Sequence, residues 1–246
     1  MRMPQVRFWL RVSVAGIGFG VAVTWYALLR LVPVSNAFRR QSFARMMSRL
    51  CCRALGVRVH VVGAENIGRH APCVYASNHQ SVIDGPISGG IFPGSALLMG
   101  SRVGDWPVIG ALFRSSGCIT VNRDVPMRAG AAWAEAERAI RERGNSIWMF
   151  AEGTRGKVRG DLGPFKRGAF RLSVVTGRPI VPVVISPLLP ETDLRGRRLT
   201  PHDVVIEILD PVYANGSTPQ DERALREEVR TLMRVKLMTF MEPAVR

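Results

Sequence analysis

The stretch Cys73-Val74-Tyr75-Ala76-Ser77-Asn78-His79-Gln80-Ser81-Val82-Ile83-Asp84-Gly85 decides how this chain is read. Its first four residues form a short apolar run of the kind that makes a buried strand, and that strand delivers His79 to a turn. His79 and Asp84 stand five positions apart, about 140° around an α-helix, so they cannot share a helical face and must meet across the turn. A carboxylate that accepts a hydrogen bond from one imidazole nitrogen fixes the tautomer and leaves the other nitrogen free to take a proton. The spacing therefore offers a general base with its orienting acid, at the end of a strand.

Outward from this strand the pattern repeats. Val57 to Gly63 alternates as a strand does, and further strands are expected at 73–77, 95–99, 118–122, 146–150, 180–185 and 203–209. Pro182 inside the run Ile180 to Ile185 argues for an edge or bulged position. The clearest helix runs from Pro126 to Arg143, with Asp124 as its cap and Gly144 as its stop. A second begins near Gly168, and a last one runs from Pro219 to Met241 with Leu225, Val229, Leu232, Leu237 and Phe240 on one apolar face. Strands alternating with helices predict an α/β fold, a mixed and largely buried sheet flanked by helices. Residues 57–246 form this single domain, and residues 1–56 stand apart as N-terminal helices.

The N-terminal part has its own character. Val12 to Leu29 is a run of 18 residues without a charge, closed by Arg11 and Arg30, near the lower limit for a helix that crosses a hydrocarbon core. No small-residue cleavage site follows, so the segment reads as a retained anchor rather than a signal peptide. Pro33 breaks the helix and a second one starts near Ser35. On that helix Phe43, Met46, Met47, Leu50 and Ala54 line one side, and Arg45, Arg49 and Arg53 form a ladder on another. The net charge is +15, and residues 1–64 hold ten Arg and no acidic residue. Arginine beside an apolar helix suits a bilayer with anionic lipids, and no zinc-finger, helix-turn-helix or RNA-binding signature points to nucleic acid. More Arg on the C-terminal flank resists translocation of residues 30–58, which favours a helical hairpin or tilted helix docked in the cytoplasmic leaflet of the inner membrane. The four cysteines form no metal-ligand or disulfide pattern, consistent with a reduced, cytoplasm-facing domain without metal.

Three further blocks follow in order: Gly117-Cys118-Ile119-Thr120-Val121-Asn122-Arg123, Phe150-Ala151-Glu152-Gly153-Thr154-Arg155, and Ile180-Val181-Pro182-Val183-Val184-Ile185. Together with the His79–Asp84 block they resemble the glycerolipid acyltransferases, in particular the 1-acylglycerol-3-phosphate acyltransferase family, over residues 57–215. The resemblance implies a fold in which these blocks converge on one cleft at the strand ends. It implies transfer of a fatty acyl group from acyl-CoA or acyl-carrier protein, as co-substrate, to the free hydroxyl of a lysophospholipid acceptor, 1-acylglycerol 3-phosphate, giving phosphatidic acid. No cofactor is implied.

Under that resemblance His79 is the base and Asp84 orients it, while Arg123, Glu152, Gly153, Thr154, Arg155 and Lys166 bind the acceptor phosphate or shape its site. The chemistry of the residues agrees, since a guanidinium fork suits phosphate and a glycine permits close backbone approach to an oxyanion. Ala151 replaces the proline that the family carries before Glu152, and the strand Ile180 to Ile185 is implied to line the acyl-donor site. Ser101-Arg102 stands where many relatives that use the glycerol phosphate acceptor carry a lysine, which keeps another lysolipid, such as a lyso-ornithine lipid, as an alternative acceptor. A hydrolase is disfavoured because no Gly-x-Ser-x-Gly elbow is present. A non-enzymatic basic membrane-binding module would leave His79, Asp84 and the arginine blocks unexplained.

Overall fold

The computed structural model describes residues 3–81, 83–100, 104, 107–122, 126–156, 158, 160–188, 191–193 and 196–241. Two helices come first, α1 (Met3–Leu28) and α2 (Asn36–Leu55). Ser35 caps α2 as its position predicts, its Oγ accepting from the Phe38 N–H at 3.1 Å. The strands are β1 (Val57–Val62), β2 (Val74–Ser77), β3 (Ser95–Gly100), β4 (Ile119–Val121), β5 (Ser146–Phe150), β6 (Ile180–Ile185), β7 (Thr192–Asp193), β8 (Arg198–Leu199) and β9 (His202–Ile208). Between them lie α3 (Asp84–Ser88), α4 (Pro107–Ser115), α5 (Pro126–Arg141) and α6 (Gly168–Thr176), and α7 (Pro219–Thr239) closes the chain.

Seven strands form one sheet in the order β1-β9-β6-β2-β5-β3-β4, and β7 pairs with β8 separately. From β6 to β4 every neighbour is parallel, whereas β9 runs antiparallel to β6 and parallel to β1. The sheet is therefore mixed, as the alternation of strands and helices predicts. Strand side chains alternate between faces, so Val74 and Ala76 of β2 go to one core, and Tyr75, with Cys73 just before the strand, to the other. The first core is closed by Ala132, Ala136 and Ile140 of α5, Phe170 of α6 and Val229, Met233 and Leu237 of α7. The second is closed by Phe8 of α1, Leu55 of α2 and Ile87 of α3.

Two expectations change. β6 lies between β9 and β2, so Pro182 is not at an edge. The bulge survives: Val183 pairs with Ile208 and Ile180 with Val212, which sets two residues of β6 against three of the facing segment, and the missing proline N–H falls there. On α7, Leu232 is 42% exposed and Met233 takes its place in the core, because the steps of four from Leu225 to Leu237 pass through Met233. The helix starts on a capping box of Thr218 and Asp221. Asp124, expected to cap α5, lies outside the described residues. Helices α3 and α4 are additions to the sequence reading.

The two N-terminal helices pack side by side. A Cβ on Gly18 would lie 3.0 Å from Leu50 Cβ, so glycine is what permits this approach. Tyr26 packs on Phe43, and its hydroxyl donates to the Ser115 carbonyl at 2.6 Å. The Arg11 guanidinium donates to the carbonyls of Leu55 at 3.0 Å and Leu199 at 3.2 Å, which ties α1 both to α2 and to the β8 segment. The outer side of α1 stays apolar and open to solvent at Val6, Leu10, Val14, Ile17, Val21 and Leu28. Over Gln5–Leu28 this helix is long and apolar enough to cross a membrane, with mean hydropathy 1.5 and 17% of its apolar window buried.

Candidate active site

β2 ends at Ser77, and the chain turns out of the sheet through Asn78 to Ser81 before α3 begins at Asp84. Asp84 thus opens a one-and-a-half-turn helix whose side chain points back into the turn. Its Oδ2 accepts from His79 Nδ1 at 2.7 Å, from the Gln80 N–H at 2.7 Å and from the Ser81 N–H at 2.8 Å. The Asp84 side chain is 1% exposed and that of His79 is 19% exposed. A buried carboxylate held by two backbone donors cannot swing, so the imidazole it holds has a set orientation. With Nδ1 occupied, Nε2 is the nitrogen left for a substrate proton. The Phe150 ring stacks on the imidazole, 3.9 Å between centroids at 15°, and closes one face of it.

The block from Phe150 to Arg155 is joined to the same turn. Glu152 Oε1 accepts from the His79 N–H at 2.9 Å, and Glu152 Oε2 accepts from the Gly163 N–H at 2.8 Å. Gly156 N–H donates to the His79 carbonyl at 2.8 Å. Residues 152–156 are therefore pinned at both ends to the backbone of His79. Gly153, at φ 65°, makes the left-handed turn inside this loop that a side chain would strain. Thr154 and Arg155 are exposed at its tip. Lys166 is exposed beside it, its N–H donating to the Ala151 carbonyl at 2.8 Å. The neighbouring Arg167 forms a two-pronged pair with Glu222 of α7, both contacts at 3.1 Å, which steadies the start of α6.

Glu152 itself is 1% exposed, and both its oxygens are already accepting. Burial pushes its carboxyl above the ordinary range, against the opposing effect of the two backbone donors. Its geometry is that of a clamp between the His79 turn and the segment at Gly163, not of a group that reaches toward an anion.

Of the expected site residues, His79, Asp84, Glu152, Gly153, Thr154, Arg155 and Lys166 lie in this one assembly of three segments. Arg123 and Ser101-Arg102 lie outside the described residues. Among the described residues no group of three or more His, Cys, Asp or Glu could hold a metal ion. The Cys73 thiol is buried and pushed up by desolvation, which leaves it protonated and inert.

The sequence reading assigned nothing to Asn78. Its side chain is buried, accepting from the Ile185 N–H at 2.7 Å and donating to the Ile185 carbonyl at 2.9 Å. The signal was a carboxamide closing an apolar strand, a group that must find partners when buried. Gln80 is only half satisfied, its Oε1 accepting from the Leu188 N–H at 3.3 Å while its buried Nε2 has no partner among the described residues.

The geometry can be set beside known proteins. The family model described as Acyltransferase matches residues 58–186, a stretch that holds the His79 turn, the Glu152 loop and β6. The human 1-acyl-sn-glycerol-3-phosphate acyltransferase alpha is 34% identical over 179 residues, 72% of this chain, and the match spans 63% of the human protein's length. The Escherichia coli 1-acyl-sn-glycerol-3-phosphate acyltransferase is 30% identical over 197 residues, covering 80% of this chain and 79% of the bacterial one. In fold, the chain is similar to the crystal structure of the 1-acyl-sn-glycerophosphate (LPA) acyltransferase PlsC from Thermotoga maritima. The TM-score is 0.76 at 22% identity, over 99% of this chain and 97% of that one. With a family match over 129 of 246 residues and relatives at these identities, the chain belongs to the 1-acylglycerol-3-phosphate acyltransferase family and is an acyltransferase enzyme.

Proposed function

We propose that this enzyme transfers a fatty acyl group from an acyl thioester to the free hydroxyl of 1-acylglycerol 3-phosphate, giving phosphatidic acid. The observation that carries the reading is the 2.7 Å contact between a partly exposed His79 and a buried, doubly held Asp84. Nε2 of His79 takes the hydroxyl proton as the oxygen attacks the thioester carbon. The new C–O bond forms, the C–S bond breaks, and the departing thiolate recovers the proton from the imidazolium. Asp84 keeps Nδ1 as the protonated nitrogen and stabilises the cation that forms on the ring. Thr154, Arg155 and Lys166 supply the hydroxyl and positive charge for the acceptor phosphate, a role the family resemblance also gives to Arg123. Gly153 and Glu152 shape the loop that presents them.

The donor is acyl-CoA or acyl-carrier protein. The open apolar side of α1 lies in the cytoplasmic leaflet of the inner membrane, with the basic flank of α2 against anionic head groups. The acceptor is itself a membrane lipid, so a membrane-docked site receives it without passage through water.

The test offers the detergent-purified enzyme and its His79→Ala variant acyl-CoA or acyl-carrier protein against a panel of lysolipids, with products identified by mass. Phosphatidic acid is the expected product, reduced on the order of 10²-fold or more in the variant. Undiminished transfer by the variant refutes the role of His79. Product from another lysolipid alone refutes the acceptor.

A further inference from the structure

We propose that Asn78 is a positioning residue for His79, its carboxamide standing in for the backbone of a strand that has left the sheet. This rests on the reading of His79 as the base. The parallel register sets Val74 opposite Ile180 and Ser77 opposite Val183, and the Val74 N–H donates to the Pro179 carbonyl at 3.0 Å. On that alternation, a β2 that ran on straight would bring the Asn78 carbonyl to the Ile185 N–H and the Gln80 N–H to the Ile185 carbonyl. Instead the Asn78 side chain takes both Ile185 groups, at 2.7 and 2.9 Å. One side chain with an acceptor and a donor side by side can do this, and the two bonds set which way the amide faces. The Gln80 N–H is thereby released, and it goes to Asp84 Oδ2 at 2.7 Å.

The β5 side shows the matching substitution. Ala151 N–H donates to the Ser77 carbonyl at 2.8 Å, and the next rung would carry the His79 N–H to the Ala151 carbonyl. That carbonyl accepts from Lys166 instead, and the His79 N–H goes to Glu152. Two buried side chains, Asn78 toward β6 and Glu152 toward β5, thus replace the strand on either side of the catalytic turn. The turn leaves the sheet without stranding a peptide group of Ile185, and the backbone donors it frees hold Asp84 against His79.

The effect of Asn78 therefore passes through His79, and a double-variant cycle reads it. The enzyme in detergent is assayed with 1-oleoylglycerol 3-phosphate and oleoyl-CoA as Asn78→Ala, Asn78→Asp, His79→Ala and Asn78→Ala/His79→Ala, with thermal unfolding in parallel. Asn78→Ala is expected to lower kcat on the order of 10²-fold, the scale of an ångström-sized misplacement, with KM for both substrates within about 3-fold. Asn78→Asp keeps the shape and the acceptor but sets an oxygen against the Ile185 carbonyl, and it falls between wild type and Ala. The double variant is expected to match His79→Ala within about 3-fold, since there is no base left to misplace.

Ile140→Ala, a cavity in the core beneath α5 and away from the turn, controls for stability and is expected to lower Tm while kcat per folded molecule holds within about 3-fold. Where Asn78→Ala does not fold, Asn78→Asp decides by the same criteria. Unchanged kcat, a change confined to KM, or a double variant well below His79→Ala overturns the proposal. An unimpaired His79→Ala would instead show that the reading of His79 itself is wrong.

Discussion

Replacing Asp84 by Asn and by Ala separates two duties that one oxygen performs. Oδ2 holds His79 Nδ1, and it also receives the buried N–H groups of Gln80 and Ser81. In Asp84→Asn the side-chain oxygen can stay in that place, because the flipped amide would aim N–H at N–H. The turn keeps its acceptor and loses the charge that, on the proposed mechanism, stabilises the imidazolium, while the new Nδ2 takes the place of Oδ1, which is buried without a partner among the described residues. A buried hydrogen bond to a charged group contributes about 1.5 to 3 kcal/mol, so kcat is expected to fall roughly 10- to 150-fold. Asp84→Ala loses the same charge and also strands two buried donors, at about 1 to 3 kcal/mol each. Its kcat falls at least as far, and its unfolding free energy drops by roughly 2 to 6 kcal/mol beyond any change in Asp84→Asn. Initial rates and denaturant unfolding of the two variants in the same detergent measure both effects. If Asp84→Asn retained kcat within about 3-fold, the charge of Asp84 would have no part in the chemistry. If the two variants were equally stable, the turn would not depend on Oδ2.

Glu152 carries a pH signature. Burial raises its carboxyl above the ordinary value, so the native state holds this proton more tightly than the unfolded chain does. The stability this contributes is present below the unfolded pKa and is lost as pH rises through the raised folded one. Stability of the wild type relative to Glu152→Gln is therefore expected to fall as pH climbs past the ordinary carboxylate range, measured by urea unfolding in a pH series. A flat or opposite difference would remove burial as the dominant influence. Arg155→Ala, at the exposed tip of the loop, is expected to raise KM for the acceptor roughly 3- to 30-fold with a smaller effect on kcat. An unchanged KM with a collapsed kcat would place Arg155 at the reacting centre rather than on the phosphate.

Much of the architecture is local and so was readable. Each strand of the main sheet is a short apolar or alternating run, and each of its seven positions agrees with the expected one to within a residue or so. The Arg45, Arg49 and Arg53 ladder is exposed and Phe43 is buried, as a 3.6-residue period requires. Leu232 and Met233 were exchanged because both are apolar and neighbouring, and only the packed partner selects between them. Pro182 was half right for a similar reason, since a proline marks a missing donor without saying which neighbour lacks it.

The sequence by itself determined the chemistry on offer. His79 and Asp84 at their spacing, Gly153 at a tight turn and the charged residues after it are properties of residue type and order, and no packing is needed to see them. What only the tertiary structure decided is the wiring. Glu152 reads as one more polar residue beside Thr154 and Arg155, yet its carboxylate is turned inward to Gly163 and to His79, the latter 73 positions away in sequence. Asn78 reads as a neighbour of the base, yet its amide belongs to Ile185, 107 positions on. Such pairings follow from the order and register of parallel strands, which depend on how the whole sheet is assembled and leave no periodic trace in the segments that meet.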